Sequence, residues 1–367
     1  MTQGLRRELA TCRNALEPAG LLAHFMAQPP AGFSPGVSAS GGPLFTTRFD
    51  LLTTLDDEAR HVIDRLPAKA LIHRLLTLNT CFYGSTVSEY APFPQGLAPD
   101  ALCTEILEAW GRKSPLLIIK DIPEPSPLLT PEEGEYGSAF IEACRAQDFI
   151  IVEGQALAYL PIDFADEAEY FARLSASRRK DIRRKLRSRD NVEVDVIATG
   201  DMRFENADLL AQMYALYREV FAQSEIHFDL LSTDFFRAVL QDAALNGRVF
   251  MYRCAGELIG YNLCFVHRGM LIDKYIGLHY PDARDQNLYF LSWMENIACA
   301  RREGLTHYVA GWTDPRIKAY LGAQFTFTRH AVRVRNPVLR AILRRFAHLF
   351  ESDRKVFDSL HADATAA

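Results

Sequence analysis

What this 367-residue sequence lacks narrows its class before any motif is read. It has no stretch of about 18 uncharged apolar residues, the length an apolar helix needs to cross a bilayer, so a membrane span is not expected. The amino terminus is interrupted by Arg6, Arg7, Glu8, Arg13 and Glu17. It therefore has no unbroken apolar core of the kind a signal peptide carries, and a cytoplasmic location is the expectation. Nor is there a basic excess: 41 Lys and Arg stand against 46 Asp and Glu, which argues against a general nucleic-acid binder, though a local basic surface stays open. The seven cysteines (Cys12, Cys81, Cys103, Cys144, Cys254, Cys264, Cys299) include no Cys-x-x-Cys pair. They sit mostly in apolar stretches, as buried reduced thiols do. The ten histidines include no His-x-x-x-His pair, so no metal site is expected, and no Gly-x-Ser-x-Gly elbow offers a nucleophile.

What is present is the material of an ordinary folded protein, 49% hydrophobic and 24% charged, with length for two domains. Residues 1–26 read as a helix, and the Pro, Gly and Ser of 28–43 as a loop. The run ALIHRLLTLNTCFYG is ambiguous between helix and strand. Residues 101–113 have helical spacing, with Asp100 as the expected N-cap. PLLIIKDI is an apolar strand, and 124–137 read as a connection before a helix over 138–146. DFIIVEG and ALAYLPID follow as two strands, giving an α/β half with a mixed sheet. A helix over 167–189 leads to the strand NVEVDVIAT and to helices over 206–223 and 233–245. Three strands come next, RVFMYRCA, ELIGYNLCFVH and GMLIDKYIGLH; the turns Ala255-Gly256 and Arg268-Gly269 make them an antiparallel meander. A helix over 287–303, stopped by Gly304, precedes the strand THYVAGW. A short helix near 315–321 and the strand TFTRHAVRV follow, and Asn336-Pro337 opens a last helix.

From residue 191 this order resembles the GNAT acyltransferase fold. YFARLSASRRKDIRRKLR, LYREVFAQSEIHFDLLSTDFF and GWTDPRIKAYLGAQF are similar, in that order, to segments of the Fem-type peptidyltransferases and the wider FemAB-like (BioF2-like) branch. The resemblance implies an α/β (α+β) protein of tandem GNAT-like domains, each a mixed, mostly antiparallel sheet flanked by helices. The boundaries expected are a degenerate domain over 1–160, a basic linker helix over 161–190, a catalytic domain over 191–335 and a carboxy-terminal amphipathic helix and tail over 336–367. It implies an N-acyltransferase that moves an acyl group from an acyl-CoA-type thioester onto a small-molecule or peptide amine. An aminoacyl-tRNA-dependent transferase is the first alternative and a non-catalytic binding protein the second. The donor would be a substrate, with no tightly bound cofactor. One departure concerns coenzyme A: where many acetyltransferases carry a Gly-rich pyrophosphate loop, this chain has PDARDQNLYF, without glycine.

The candidate residues are weighed on this frame. Eight of the twelve residues from Arg178 to Arg189 are basic, with Ile182 and Leu186 forming one apolar edge. The run is either a solvated helix face or an attractor for a polyanionic donor. Arg178, Arg179, Arg183 and Arg184, with Asn287, are the expected donor-binding residues. The resemblance makes Lys318 a cation near the donor, which would stabilise an oxyanion; the alternative is a surface lysine in a turn. Tyr320 is a candidate general acid, a role tyrosine fills in some GNAT enzymes, or a structural tyrosine. Asp273 is the candidate for orienting the amine; alternation places it on one face with Tyr275, and Lys274 with Ile276 on the other. His227 lies with Glu225 and Asp229 in the loop between the paired helices and could accept the amine proton, or have no role.

Overall fold

The computed structural model describes residues 12–54, 69–111, 113–224 and 227–345, with Leu9 and Arg65. Strands are numbered along the chain: β1 Cys12–Arg13, β2 Ser34–Val37, β3 Pro43–Asp50, β4 Thr77–Tyr83, β5 Phe93–Pro94, β6 Leu116–Pro123 and β7 Ile150–Pro161. They continue as β8 Glu193–Ala198, β9 Gly247–Cys254, β10 Glu257–His267, β11 Met270–Leu278, β12 His307–Gly311 and β13 Gln324–Val334. The chain divides into two compact units. One comprises Met1–Ala15, Gly32–Ala156 and Thr326–Ala367; the other comprises Leu16–Ala31 and Leu157–Phe325.

In the first unit β2, β3 and β4 form an antiparallel meander. β4 lies parallel to β6, and β6 pairs antiparallel with β13. Helices Pro99–Ile106 and Pro131–Ala146 bury Leu102, Phe140 and Cys144 in one core with Leu117, Ile119 and Ile122 of β6. Each large apolar side chain so buried stabilises the unit by about 1.5–3 kcal/mol. The second unit repeats this order. β9, β10 and β11 form the meander, β11 lies parallel to β12, and β12 pairs antiparallel with the end of β7. β8 adds an outer strand beside β9. Both meander turns are two-residue loops with positive φ at each residue, 49° and 85° at Ala255-Gly256 and 50° and 73° at Arg268-Gly269. That is the backbone whose twist matches paired strands.

Several boundaries differ from the sequence reading for local reasons. Leu9 is helical, but the described part of 1–26 is not one helix: Cys12–Arg13 form β1, Asn14 has φ 66°, and a helix Ala19–Ala27 follows Pro18, which disfavours helical backbone at Glu17; most of residues 1–11 lie outside the described part. The ambiguous run is both things, a helix Lys69–Leu76 followed by β4. Ala98, not Asp100, caps the next helix, with Pro99 at its first position. The helix expected from 138 begins at Pro131. Thr130 Oγ1 accepts from Glu133 N–H and Glu133 returns the bond to Thr130 N–H, a capping box the sequence carries in plain view. β7 runs unbroken through Gly154. The long helix expected over 167–189 is two helices, Glu167–Ala172 and Ala176–Lys185, since Ser175 caps the second. Of the last helix, Pro337–Arg345 is described, capped by Asn336 Oδ1; residues 346–367 lie outside.

Candidate active site in the second unit

β11 and β12 pair at three positions only, Met270 with His307, Leu271 with Tyr308 and Ile272 with Val309. Beyond them β11 runs on to Leu278, with no ladder partner on the β12 side among the described residues. On its other side Cys264 of β10 stands opposite Asp273 and Leu263 opposite Tyr275, so Lys274 is an extra, bulged residue. A bulge resets the alternation of side chains. Asp273 and Tyr275 therefore face opposite ways, which corrects the expectation that they share a face. Tyr275 packs edge-on against Phe235 and Phe236, while Asp273 points toward helix Leu288–Arg302 and its Asn296.

Asp273 anchors a polar network inside this otherwise apolar core. Its Oδ1 accepts from Asn262 Nδ2 at 2.6 Å, and its Oδ2 accepts from Tyr308 OH at 2.8 Å and Asn296 Nδ2 at 3.3 Å. Asn296 Nδ2 also reaches Asn262 Oδ1 at 2.6 Å. Burial pushes the Asp273 carboxyl above the ordinary carboxylate range, and the bonds from Asn262 and Tyr308 and the charges of Lys318 and Lys274 pull it partly back. Asn262, Asn296 and Tyr308 were not singled out from sequence. The available signal was a polar residue inside an apolar run, as in GYNLCF and in the buried face of a helix. Lys274 donates to Glu17 Oε1 at 3.0 Å, with both side chains almost wholly buried.

Lys318 is 4% exposed, which rules out the surface-turn alternative. It sits on the short helix Pro315–Tyr320, entered through Asp314 at φ 53°. A methyl group built on Gly311 would lie 3.9 Å from Lys318 Nζ and 3.7 Å from the Asp273 carbonyl oxygen. The amine thus stands where β11 and β12 stop pairing, beside a stretch of backbone that carries no side chain at Gly311.

The other candidates have partners of their own. Tyr320 OH donates to Asp181 Oδ2 at 2.8 Å, and Arg178 lies 5.6 Å from its ring centre. Arg178 also donates to Ala319 O, so helix Ala176–Lys185 is tied to the Lys318 segment. Ile182 docks that helix, fully buried. Arg179 bonds Leu174 O, Arg184 pairs with Asp181 at 2.5 Å, and Arg183 stacks over Phe171. Lys180, Arg183, Arg184 and Arg187 remain exposed. Asn287 takes the left-handed conformation at the start of helix Leu288–Arg302, makes no side-chain cap, and has the basic run beside it through Lys185, 3.9 Å over Phe290. His227 is exposed, set edge-on against Phe221. Glu225 lies outside the described part.

A meander, a parallel pair that stops short, and a helix on each side of the second parallel strand define the class. This is the GNAT fold, with residues 176–319 matching the family described as acetyltransferase (GNAT) domain. Solved structures share the fold over nearly the whole chain. The C-terminal domain of an Agrobacterium fabrum protein proposed as a lysylphosphatidylglycerol synthetase aligns with 93% of this chain and 94% of its own, at TM-score 0.57 and 12% identity. L-PGS from Bacillus licheniformis aligns over 94% and 96%, at 0.55 and 11%. FemX aligns over 94% and 98%, at 0.55 and 11%. No curated protein matches by sequence.

Proposed function

We propose that the chain is an acyltransferase that moves an aminoacyl or other acyl group from an ester or thioester directly onto an amine. The observation that carries this reading is the buried Lys318 amine beside Gly311 and Asp273, where β11 and β12 stop pairing. Unpaired backbone along parted strands can bond an extended donor as a further strand would. A cation fixed at a partly desolvated site stabilises the oxyanion of the tetrahedral intermediate. The amine nitrogen attacks the acyl carbon and forms the C–N bond. The C–O or C–S bond to the leaving group then breaks, and the amine's proton passes to the leaving group through solvent. No side-chain nucleophile is needed. Both Asp273 oxygens are engaged by neighbours, so Asp273 acts as a positioning residue that balances Lys318 rather than as the base.

The donor favoured is an aminoacyl ester carried by tRNA, ahead of an acyl-CoA. The segment 279–287 has no glycine and contains Asp282 and Asp285, a poor cradle for a pyrophosphate. The exposed part of the basic helix suits a longer polyanion. The name of one structural neighbour, lysylphosphatidylglycerol synthetase, contains a lysyl group, in keeping with an aminoacyl cargo. We place the chemistry in the second unit and read the first as a worn copy of the same fold. Mass spectrometry of a small-amine and peptide panel incubated with charged tRNA or with acyl-CoA tests the reading. Transfer should occur, and Lys318→Met should reduce kcat by about 10²–10³-fold while leaving the fold intact by circular dichroism. Product formed equally fast without Lys318 would remove its role; no product from either donor would sink the proposal.

A further inference from the structure

The two units carry the same strand order, so their equivalent positions can be compared residue by residue. In the first unit the last parallel pair is Tyr83 with Ile119; in the second it is Ile272 with Val309. On the next strand over, both then step out of register. The first passes from Ile119 opposite Ala331 to Ile122 opposite Arg329, and the second from Val309 opposite Tyr159 to Gly311 opposite Ala158. The two residues that follow the last parallel pair are Lys120-Asp121 in one and Ala310-Gly311 in the other, with Lys120 and Asp121 unpaired in this ladder in the first and Ala310 alone in the second. Asp121 has φ 58° and Gly311 φ 77°, so the backbone turns alike in both.

The side chains there differ in kind. Lys120 crosses from β6 to the chain leaving β4: its Nζ donates to Ser85 O at 2.8 Å and forms an ion pair with Asp121. Its stem lies against Gly84, where an added methyl group would come within 3.1 Å of Lys120 Cγ. The segment it meets is closed on itself, with Ser85 and Ser88 hydroxyls bonded at 2.8 Å and Val87 N–H donating to Ser85. Ala310 offers only a methyl group at the equivalent place and Gly311 nothing, and the amine near it is that of Lys318, reaching in from the separate helix Pro315–Tyr320.

We propose that Lys120 is a built-in strap that seals the parted strands of the first unit, and that the small pair Ala310-Gly311 is what leaves those of the second unit open. The chain then takes one donor, in the second unit; this last step rests on the function proposed above. An intact ion pair and a bond to a buried carbonyl hold the strap, so its amine is withheld from reagents as well as from ligands.

Reductive methylation of the full-length chain, followed by peptide mass spectrometry, tests the strap itself. Lys120 should react at least about tenfold more slowly than the exposed Lys180; equal rates would overturn it. Titration with a non-hydrolysable aminoacyl-tRNA analogue, and separately with coenzyme A, tests the consequence. One equivalent should bind the natural chain and two should bind Lys120→Ala, in which the strap is cut, a count of one there overturning the seal; Ala310→Lys should abolish binding while Ala310→Ser, as folding control, keeps it. Two equivalents per natural chain, or undiminished binding by folded Ala310→Lys, would refute the assignment. If neither probe binds the natural chain, the donor reading fails, and the Lys120 methylation rate alone decides the strap.

Discussion

Asp273 shows how one buried charge can organise a site. Its carboxyl is raised in the folded protein by burial, so protonation favours the folded state. That contribution is fully present below the ordinary carboxylate range and is lost as pH rises through the raised value. Asp273→Asn does not titrate, and its Tm relative to the natural chain should therefore climb between pH 4 and pH 8. A difference that stays flat would mean the carboxyl is not shifted. Two tyrosines of this unit make a second test. Tyr308 OH is bonded to Asp273 and Asn296, whereas the fully buried Tyr252 OH has no partner among the described residues. Tyr308→Phe should cost about 1–3 kcal/mol and Tyr252→Phe should be neutral or stabilising, because an unmade buried hydrogen bond is itself a cost. Urea unfolding of the two variants decides it, and equal losses would contradict the network.

At the scale of elements, short-range chemistry sets where helices begin, and packing sets what strands do. Helix Pro131–Ala146 starts at its capping box, so Thr130→Ala should lower stability by about 1 kcal/mol. Double substitution with Glu133→Ala should cost less than the sum of the singles, since the box is reciprocal. Additive losses would show that the two bonds are independent. In β11 the bulge at Lys274 turns Asp273 toward one layer and Tyr275 toward the other. No periodicity in LIDKYIGLH announces it, because a bulge is a property of the pairing and not of one strand.

Across the whole molecule, charge is distributed unevenly around a net value of −5. The basic run spends Arg178, Arg179 and Lys185 on the protein itself, and keeps Lys180, Arg183 and Arg187 exposed. Replacing those three with Gln should reduce the slope of log Kd for tRNA against log salt by about 2–3, close to one for each phosphate no longer neutralised. An unchanged slope would return the helix to the role of a solvated face. No helix among the described residues is long and apolar enough to cross a membrane.

The sequence by itself determined the order of elements from the meander to β13, the tight turns that join β9, β10 and β11, and the basic run. These are local matters of periodicity, glycine placement and charge. It also made Lys318 a candidate, through the resemblance of GWTDPRIKAYLGAQF to a Fem-type segment, though not its burial. Only the tertiary structure decided that Asp273 turns inward to Asn262, Asn296 and Tyr308, residues 11 to 35 positions away. It alone set Tyr320 OH on Asp181 and His227 against Phe221. Likewise, only the strand register set Lys120 against Ala310 at equivalent places in the two units. Register, bulges and the parting of parallel strands arise between segments distant in sequence, where no single segment records them.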